Sequence, residues 1–149
     1  MRMLVCVSVC VAALSLAALA ASDGDSPAGL WKTIDDKSGK ERALVRIVDN
    51  NGVFEGSVEK IFDQPGDDLE HLCRRCAGER KNKPIVGMTF MWGLKKDGDQ
   101  WDGGKILDPN IGMIYRGRLR LKDGGRKLEV RGYIGISLFG RSQTWLRQE

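Results

Sequence analysis

The chain alternates between short runs of apolar or β-branched residues and short clusters of turn-forming residues. From Met113 to Lys122, apolar or small side chains occupy every second position, and the positions between them are mostly arginine or lysine. A period of two over such a run predicts a strand with one buried face and one solvated face. The run from Lys127 repeats the pattern. A stripe of Met88, Phe90, Trp92 and Leu94 predicts the same arrangement earlier in the chain.

Eight strands are predicted in this way, and no stretch shows sustained helical periodicity. Turn signals such as Asn50-Asn51-Gly52 and Asp123-Gly124-Gly125 separate them. The predicted strands are 30–34, 43–49, 53–62, 88–95, 101–107, 113–122, 127–135 and 143–147. This pattern favours an all-β fold, a single antiparallel eight-stranded up-and-down barrel, because closure removes the sheet edges. A β-sandwich is the alternative.

Three glycines, Gly56, Gly117 and Gly132, fall in the inward register of their predicted strands. The interior of an eight-stranded barrel either fills with side chains or holds one small ligand. Inward glycines either leave room for a cavity or allow the sharp bends that a barrel needs, and we prefer the second interpretation.

The N-terminal residues 1–20 have the three parts of a secretory signal peptide. Arg2 supplies the charge, an apolar run follows, and small residues at Ala18 and Ala20 form a cleavage site. The apolar run is shorter than the ~20 residues that span a bilayer. We therefore expect an exported protein, periplasmic or secreted, whose mature part has no transmembrane span.

The mature chain is predicted to form one domain. Residues 21–28 are polar, small and proline-containing, which predicts a flexible leader. Residues 29–149 then form the barrel, and a domain of this size needs no covalent staple to fold.

The charge of the chain is mildly basic, with 24 Lys and Arg against 20 Asp and Glu. This excess is too small and too scattered to predict nucleic-acid binding. Basic residues are concentrated in one row on a single predicted strand, which consists of Arg116, Arg118, Arg120 and Lys122. Arg131, on the next predicted strand, is expected beside this row. Such a row is typical of a solvated face, with contact to an anionic surface or partner protein as the alternative.

Cys73 and Cys76 are the only cysteines outside the predicted signal peptide. In an oxidising compartment they are expected to form a structural disulfide. A redox-active pair is the alternative, because Arg74 and Arg75 would lower a thiolate pKa. His71 with the two cysteines offers three possible metal ligands, fewer than structural zinc requires, so no metal site is predicted.

No residue set predicts an active site or a cofactor. Gly135-Ile136-Ser137 begins like a nucleophile elbow, but Leu138-Phe139 follows where the final glycine belongs. The protein is therefore more consistent with a binding role than with an enzyme.

Gly29-Leu30-Trp31 resembles the G-x-W signature of lipocalins and their barrel relatives. In that superfamily the tryptophan closes one end of the barrel, and an arginine from the last strand packs over its ring. The resemblance implies this role for Trp31 and Arg147.

Several longer motifs are similar to those of a bacterial exported family known as domain of unknown function 2147. They are Lys81-Asn82-Lys83-Pro84-Ile85-Val86-Gly87, Trp101-Asp102-Gly103-Gly104-Lys105-Ile106-Leu107-Asp108-Pro109 and the run from Arg131 to Trp145. The resemblance covers nearly the whole mature chain and implies a lipocalin-like barrel without an assigned activity.

These observations predict a binding module for a small apolar or amphipathic ligand, held in or at the mouth of the barrel. The candidate ligand or mouth residues are Trp92, Tyr115, Leu138, Phe139 and Arg141. Leu138 and Phe139 either cover the mouth or plug the end of the barrel. The alternative functions are an envelope interaction protein with a filled core and, third, a redox protein.

Overall fold

The computed structural model of the chain describes residues 23–136 and 138–149. The predicted signal peptide, residues 1–20, lies outside this part. The closed barrel and its core, as the structure describes them, are complete within residues 23–149.

Eight antiparallel strands form a closed barrel in which each strand pairs with the next and the last pairs with the first. Three short 3-10 helices are also present among the described residues: Asp23–Asp25, Gly78–Arg80 and Asp123–Gly125. The strands are β1 (Gly29–Ile34), β2 (Glu41–Asn50), β3 (Val53–Ile61), β4 (Thr89–Asp97), β5 (Gln100–Asp108), β6 (Met113–Lys122), β7 (Lys127–Tyr133) and β8 (Gly140–Arg147). The predicted all-β up-and-down barrel is confirmed.

The alternation in the sequence of β6 and β7 matches their two faces. Leu119 on β6 and Leu128 on β7 are fully buried inside the barrel, whereas Arg116 and Lys127 are exposed outside it. Phe54 and Trp101 meet edge to face in the core, with their ring centroids 5.9 Å apart. The largest fully buried side chains include Trp31, Ile47, Met91, Leu94, Leu119 and Leu128.

Strand β4 departs from the predicted alternation. Its pairing with β3 shifts register on both sides of Gly56, and Gly93 has a φ of +74°. Because an extra residue reverses the side-chain alternation, Met91 is fully buried in place of Trp92. The predicted inward position of Trp92 is therefore wrong. Its side chain is half-buried, and the guanidinium carbon of Arg80 lies 4.7 Å from the centroid of its ring.

One end of the barrel is closed by Trp31 and Arg147, as the lipocalin resemblance implies. The guanidinium carbon of Arg147 lies 4.3 Å from the centroid of the Trp31 ring. Arg147 also donates hydrogen bonds to the backbone carbonyls of Gly125 (2.6 Å), Ser26 (2.7 Å) and Ala28 (3.0 Å). We call this end the closed end.

Residues 23–28 pack onto the closed end instead of forming a flexible leader. Pro27 is fully buried, and its carbonyl accepts a 2.8 Å hydrogen bond from the Trp31 indole. The polar composition predicted disorder, but the backbone carbonyls of this segment are the acceptors that Trp31 and Arg147 require.

Replacing Arg147 by lysine tests the closure. Lysine keeps the charge but cannot stack as a plane, and its single nitrogen cannot reach carbonyls that three separate guanidinium nitrogens contact. We therefore expect a loss of about 3 kcal/mol in the free energy of unfolding. Arg126→Lys is the control, because Arg126 is exposed and pairs only locally with Asp123. We expect it to cost less than about 0.5 kcal/mol. Urea denaturation measures both, and equal small losses would contradict the role of Arg147.

Candidate functional site

The end of the barrel opposite the closed end opens into a cavity. Four loops surround this mouth: residues 35–40, 62–88, 109–112 and the described residues 134–136 and 138–139. The cavity has a volume of about 880 Å³, within the range of about 300–1,000 Å³ that is typical of small-molecule sites.

The walls of the cavity are apolar in depth and charged at the rim. The deep part is lined by Val45, Val58, Phe90, Val130 and Trp145, each of which is buried. Arginine and aspartate side chains from β2, β8 and the mouth loops line the rim. The arrangement therefore offers apolar walls in the deep part, interrupted by Gln143, and charged groups at the entrance.

The predicted inward glycines contribute differently to this interior. Gly56 lies at the register shift of β3, in agreement with the bend interpretation. Gly117 and Gly132 pair in regular register. A Cβ at Gly117 would come within 2.7 Å of Ile106, so this glycine makes room for a neighbouring side chain. Gly132 lines the cavity, with Tyr115 packed beside it.

Residues 62–88, between β3 and β4, fold over part of the mouth and form what we call the mouth flap. Cys73 and Cys76 form the predicted disulfide within it, with Cα atoms 5.4 Å apart. The Cys73 amide donates to the Lys83 carbonyl at 2.8 Å, which joins the two arms of the flap. The flap therefore has its own hydrogen-bonded frame.

The disulfide turn of the flap rests on the β5–β6 turn. Cys73 Sγ lies 3.4 Å from the carbonyl oxygen of Pro109. A Cβ at Gly112 would overlap the backbone carbonyl of Arg75, so only glycine permits this approach.

An ion pair fixes the other side of the flap to the barrel. Arg42 on β2 donates to both carboxylate oxygens of Asp67, at 2.8 and 3.3 Å. These bonds from Arg42, together with the Gln64 amide, hold the pKa of Asp67 below its ordinary value. Charge-assisted bidentate pairs of this kind fix orientation as well as adding stability.

The other arginines of the rim differ in their pairing. Arg141 on β8 binds Asp36 of the β1–β2 loop, which lowers the pKa of that carboxyl. Arg74 binds Asp68 at 2.8 Å and also Glu70. Arg75 lines the cavity and is exposed, and it has no carboxylate partner among the residues that the structure describes.

The predicted mouth residues lie in different places. Tyr115, Phe139 and Arg141 line the cavity. Leu138 and Phe139 are 80% and 71% exposed, so they do not plug the end of the barrel. Trp92 lies outside this group, against Arg80.

The cysteines and the histidine do not form a ligand set. His71 Nε2 lies 2.8 Å from Asp63, and both sulfurs are bonded to each other. Within the described residues, no group of three or more potential ligands is placed to hold a metal ion.

The predicted basic row on β6 is partly neutralised by neighbouring strands. Arg118 binds Asp102 on β5 at 2.6 Å, and the Tyr133 hydroxyl donates to the same carboxylate. Arg120 donates to Gln100 at 3.0 Å. Arg116 has no carboxylate partner in the part of the chain that the structure describes; its guanidinium donates to the Gly135 carbonyl at 3.4 Å.

Sequence reasoning missed Arg42, Asp67 and Arg75. Arg42 and Asp67 are 25 positions apart, and no local pattern links them. Arg75 was noted only for its effect on the cysteines. Four acidic residues between positions 63 and 70 mark this loop as charged, but no sequence pattern indicates which arginine meets Asp67.

The Arg42–Asp67 pair predicts a pH-dependent flap. Because the folded pKa of Asp67 is lowered, its contribution is complete above the ordinary pKa and is lost as the pH falls below about 4. We expect amide protection factors in 62–72 to fall in that range. Asp67→Asn should lower them already at pH 6, whereas Asp36→Asn, which breaks the separate Arg141 pair, should not. Wild-type protection in Asp67→Asn would contradict the assignment.

No helix among the described residues is long and apolar enough to cross a membrane.

Comparisons with known proteins agree with this architecture. No curated protein matches the chain. Among solved structures, HP1028 from the human pathogen Helicobacter pylori, described as belonging to the lipocalin family, is similar with a TM-score of 0.69. It is 22% identical, and the match covers 82% of each chain, a likeness that shows the fold alone. A family described as an uncharacterized protein conserved in bacteria, DUF2147, matches residues 29–147. The chain belongs to this bacterial family, DUF2147, and has the lipocalin-like barrel.

Proposed function

We propose that the protein binds one small amphipathic ligand in the cavity, with the apolar part of the ligand inside and its polar end at the mouth. The observation that carries the proposal is the cavity itself, about 880 Å³ in volume. Its deep walls are aliphatic and aromatic, and burying an apolar chain there removes it from water.

One guanidinium at the rim, that of Arg75, favours an anionic polar end of the ligand. Arg42, Arg74 and Arg141 are already paired with carboxylates. Arg75 has no such partner among the described residues and lines the same cavity. A carboxylate or similar group on the ligand would give this guanidinium a charge-assisted hydrogen bond.

The alternative of an interaction protein with a filled core has less support. Phe90 and Tyr115, two of the bulky side chains that could fill the barrel, instead line the cavity. The large rings that do pack tightly, Trp31 and Trp101, belong to the closed end.

A redox role also has less support. Cys73 is fully buried and Cys76 is 3% exposed. Thiol–disulfide exchange requires an attacking thiolate to reach a sulfur, and here the sulfurs lie in the core cluster. The disulfide is better explained as a support for the mouth flap.

Binding of dansylaminoundecanoic acid tests the proposal, because this probe has an apolar fluorophore and chain and a single carboxylate. We expect saturable one-to-one binding by residues 23–149. Gly132→Leu should weaken binding by about tenfold or more, because its side chain would project into the cavity beside Tyr115. Thr144→Leu adds the same side chain at an exposed position of β8 and should bind as the wild type does.

The polar end is tested separately with Arg75→Gln. This variant should weaken binding of the carboxylate probe severalfold while leaving binding of its methyl ester unchanged. Absence of saturable binding by the wild type, or wild-type affinity in Gly132→Leu, would contradict the proposed function.

A further inference from the structure

We propose that one side of the mouth is a docking surface for an anionic lipid bilayer. The surface combines exposed apolar side chains on adjoining segments with cations that have no acidic partner. Its apolar members are Met113, Ile114, Ile134, Ile136, Leu138 and Phe139, and we call them the apolar rim. The inference goes beyond the proposed function, since docking requires no ligand in the cavity.

The apolar rim is continuous because of the register of the barrel. Strand β6 begins at Met113, and its partner β7 ends at Tyr133, which lies opposite Arg116. The first residues of β6 and the loop after β7 therefore share one edge of the mouth. The Ile134 amide donates to the Phe139 carbonyl at 3.1 Å, which brings the two ends of that loop together.

The exposure of the apolar side chains in this loop is unusual for the surface of a globular protein. Leu138 and Phe139 are 80% and 71% exposed. Scattered apolar residues on a surface need no explanation, but a group of them at one edge marks an interaction site.

Charge beside the apolar rim identifies the partner. Lys105 on β5 and Arg116 on β6 lie directly opposite each other, and both are exposed. Like charges in that position destabilise a sheet. Neither has a carboxylate partner among the described residues, in contrast to Arg118, which binds Asp102. An anionic surface would relieve this repulsion while the apolar side chains insert between head groups.

A second copy of the chain fits this surface less well. A two-fold interface places the same patch on both subunits, so Lys105 and Arg116 would add to the positive charge on both sides of it. A lipid surface instead offers acyl chains and negative charge together. Phe139 and Ile134 also line the cavity, so docking through them would turn the mouth towards the bilayer.

Vesicle flotation tests the inference with residues 23–149, because the apolar N-terminal run would itself enter a membrane. We expect binding to vesicles of equal parts phosphatidylglycerol and phosphatidylcholine, and much weaker binding to phosphatidylcholine alone. Leu138→Ser/Phe139→Ser should lower partitioning to anionic vesicles by about tenfold or more. Lys105→Gln/Arg116→Gln should lower it by a similar factor.

Matched controls lie at the other end of the barrel. Val48→Ser/Leu146→Ser removes two exposed apolar side chains away from the mouth. Lys122→Gln/Lys127→Gln removes two lysines that lie opposite each other on β6 and β7. Both should partition within about twofold of the wild type.

Three results would overturn the inference. The first is no partitioning of the wild type to anionic vesicles. The second is equal losses in Lys105→Gln/Arg116→Gln and its lysine control, which would make net charge the cause. The third is a dimer in sedimentation equilibrium that Leu138→Ser/Phe139→Ser dissociates, which would make a second copy the partner.

Loss of probe binding in Gly132→Leu with unchanged vesicle binding would separate this inference from the proposed function.

Discussion

The stacking of Arg147 on Trp31 is the contact on which the closure of this barrel depends. The seam between β1 and β8 has two paired positions, Trp31 with Arg147 and Lys32 with Leu146, whereas β6 and β7 pair at seven. Backbone pairing therefore joins the first and last strands over only a short length. The guanidinium adds hydrogen bonds to the backbone carbonyls of Gly125, Ser26 and Ala28, on two separate segments, and it covers the ring that fills the end of the barrel.

Closure at one end leaves the other end available for a site. The large rings and aliphatic side chains concentrate near Trp31, and the barrel is filled there. Beyond this filled end, small residues such as Val45, Val130 and Gly132 leave room for the cavity. The mouth flap keeps its shape because it is tied to β2 by Arg42 and Asp67 and rests on the β5–β6 turn. A rigid entrance of this kind reduces the entropy lost when a ligand binds.

Local pattern was sufficient to predict most of the fold. Strands β6 and β7 carry an unbroken period of two, and their predicted faces agree with their burial. Strand β4 was predicted less well, because a shift of one residue is determined by pairing with β3 and leaves no mark in its own sequence. The G-x-W motif identified Trp31, but the acceptors of Arg147 are backbone carbonyls, which no side-chain pattern reveals.

The site was less predictable than the fold because its contacts join distant parts of the chain. Tyr115, Phe139 and Arg141 could be placed near the mouth from strand ends and loop composition. Arg42 and Asp67 meet only because β2 and the mouth flap end at the same side of the barrel. Whether the interior held a cavity depended on packing, and the inward glycines were compatible with either outcome.

Native mass spectrometry of the protein, purified gently from the cells that produce it and incubated with a lipid extract of those cells, tests the central claim most directly. If the cavity is a ligand site, the spectrum will show a reproducible added mass that organic extraction removes. A bare polypeptide before and after incubation would contradict the account, because the cavity would then have no occupant.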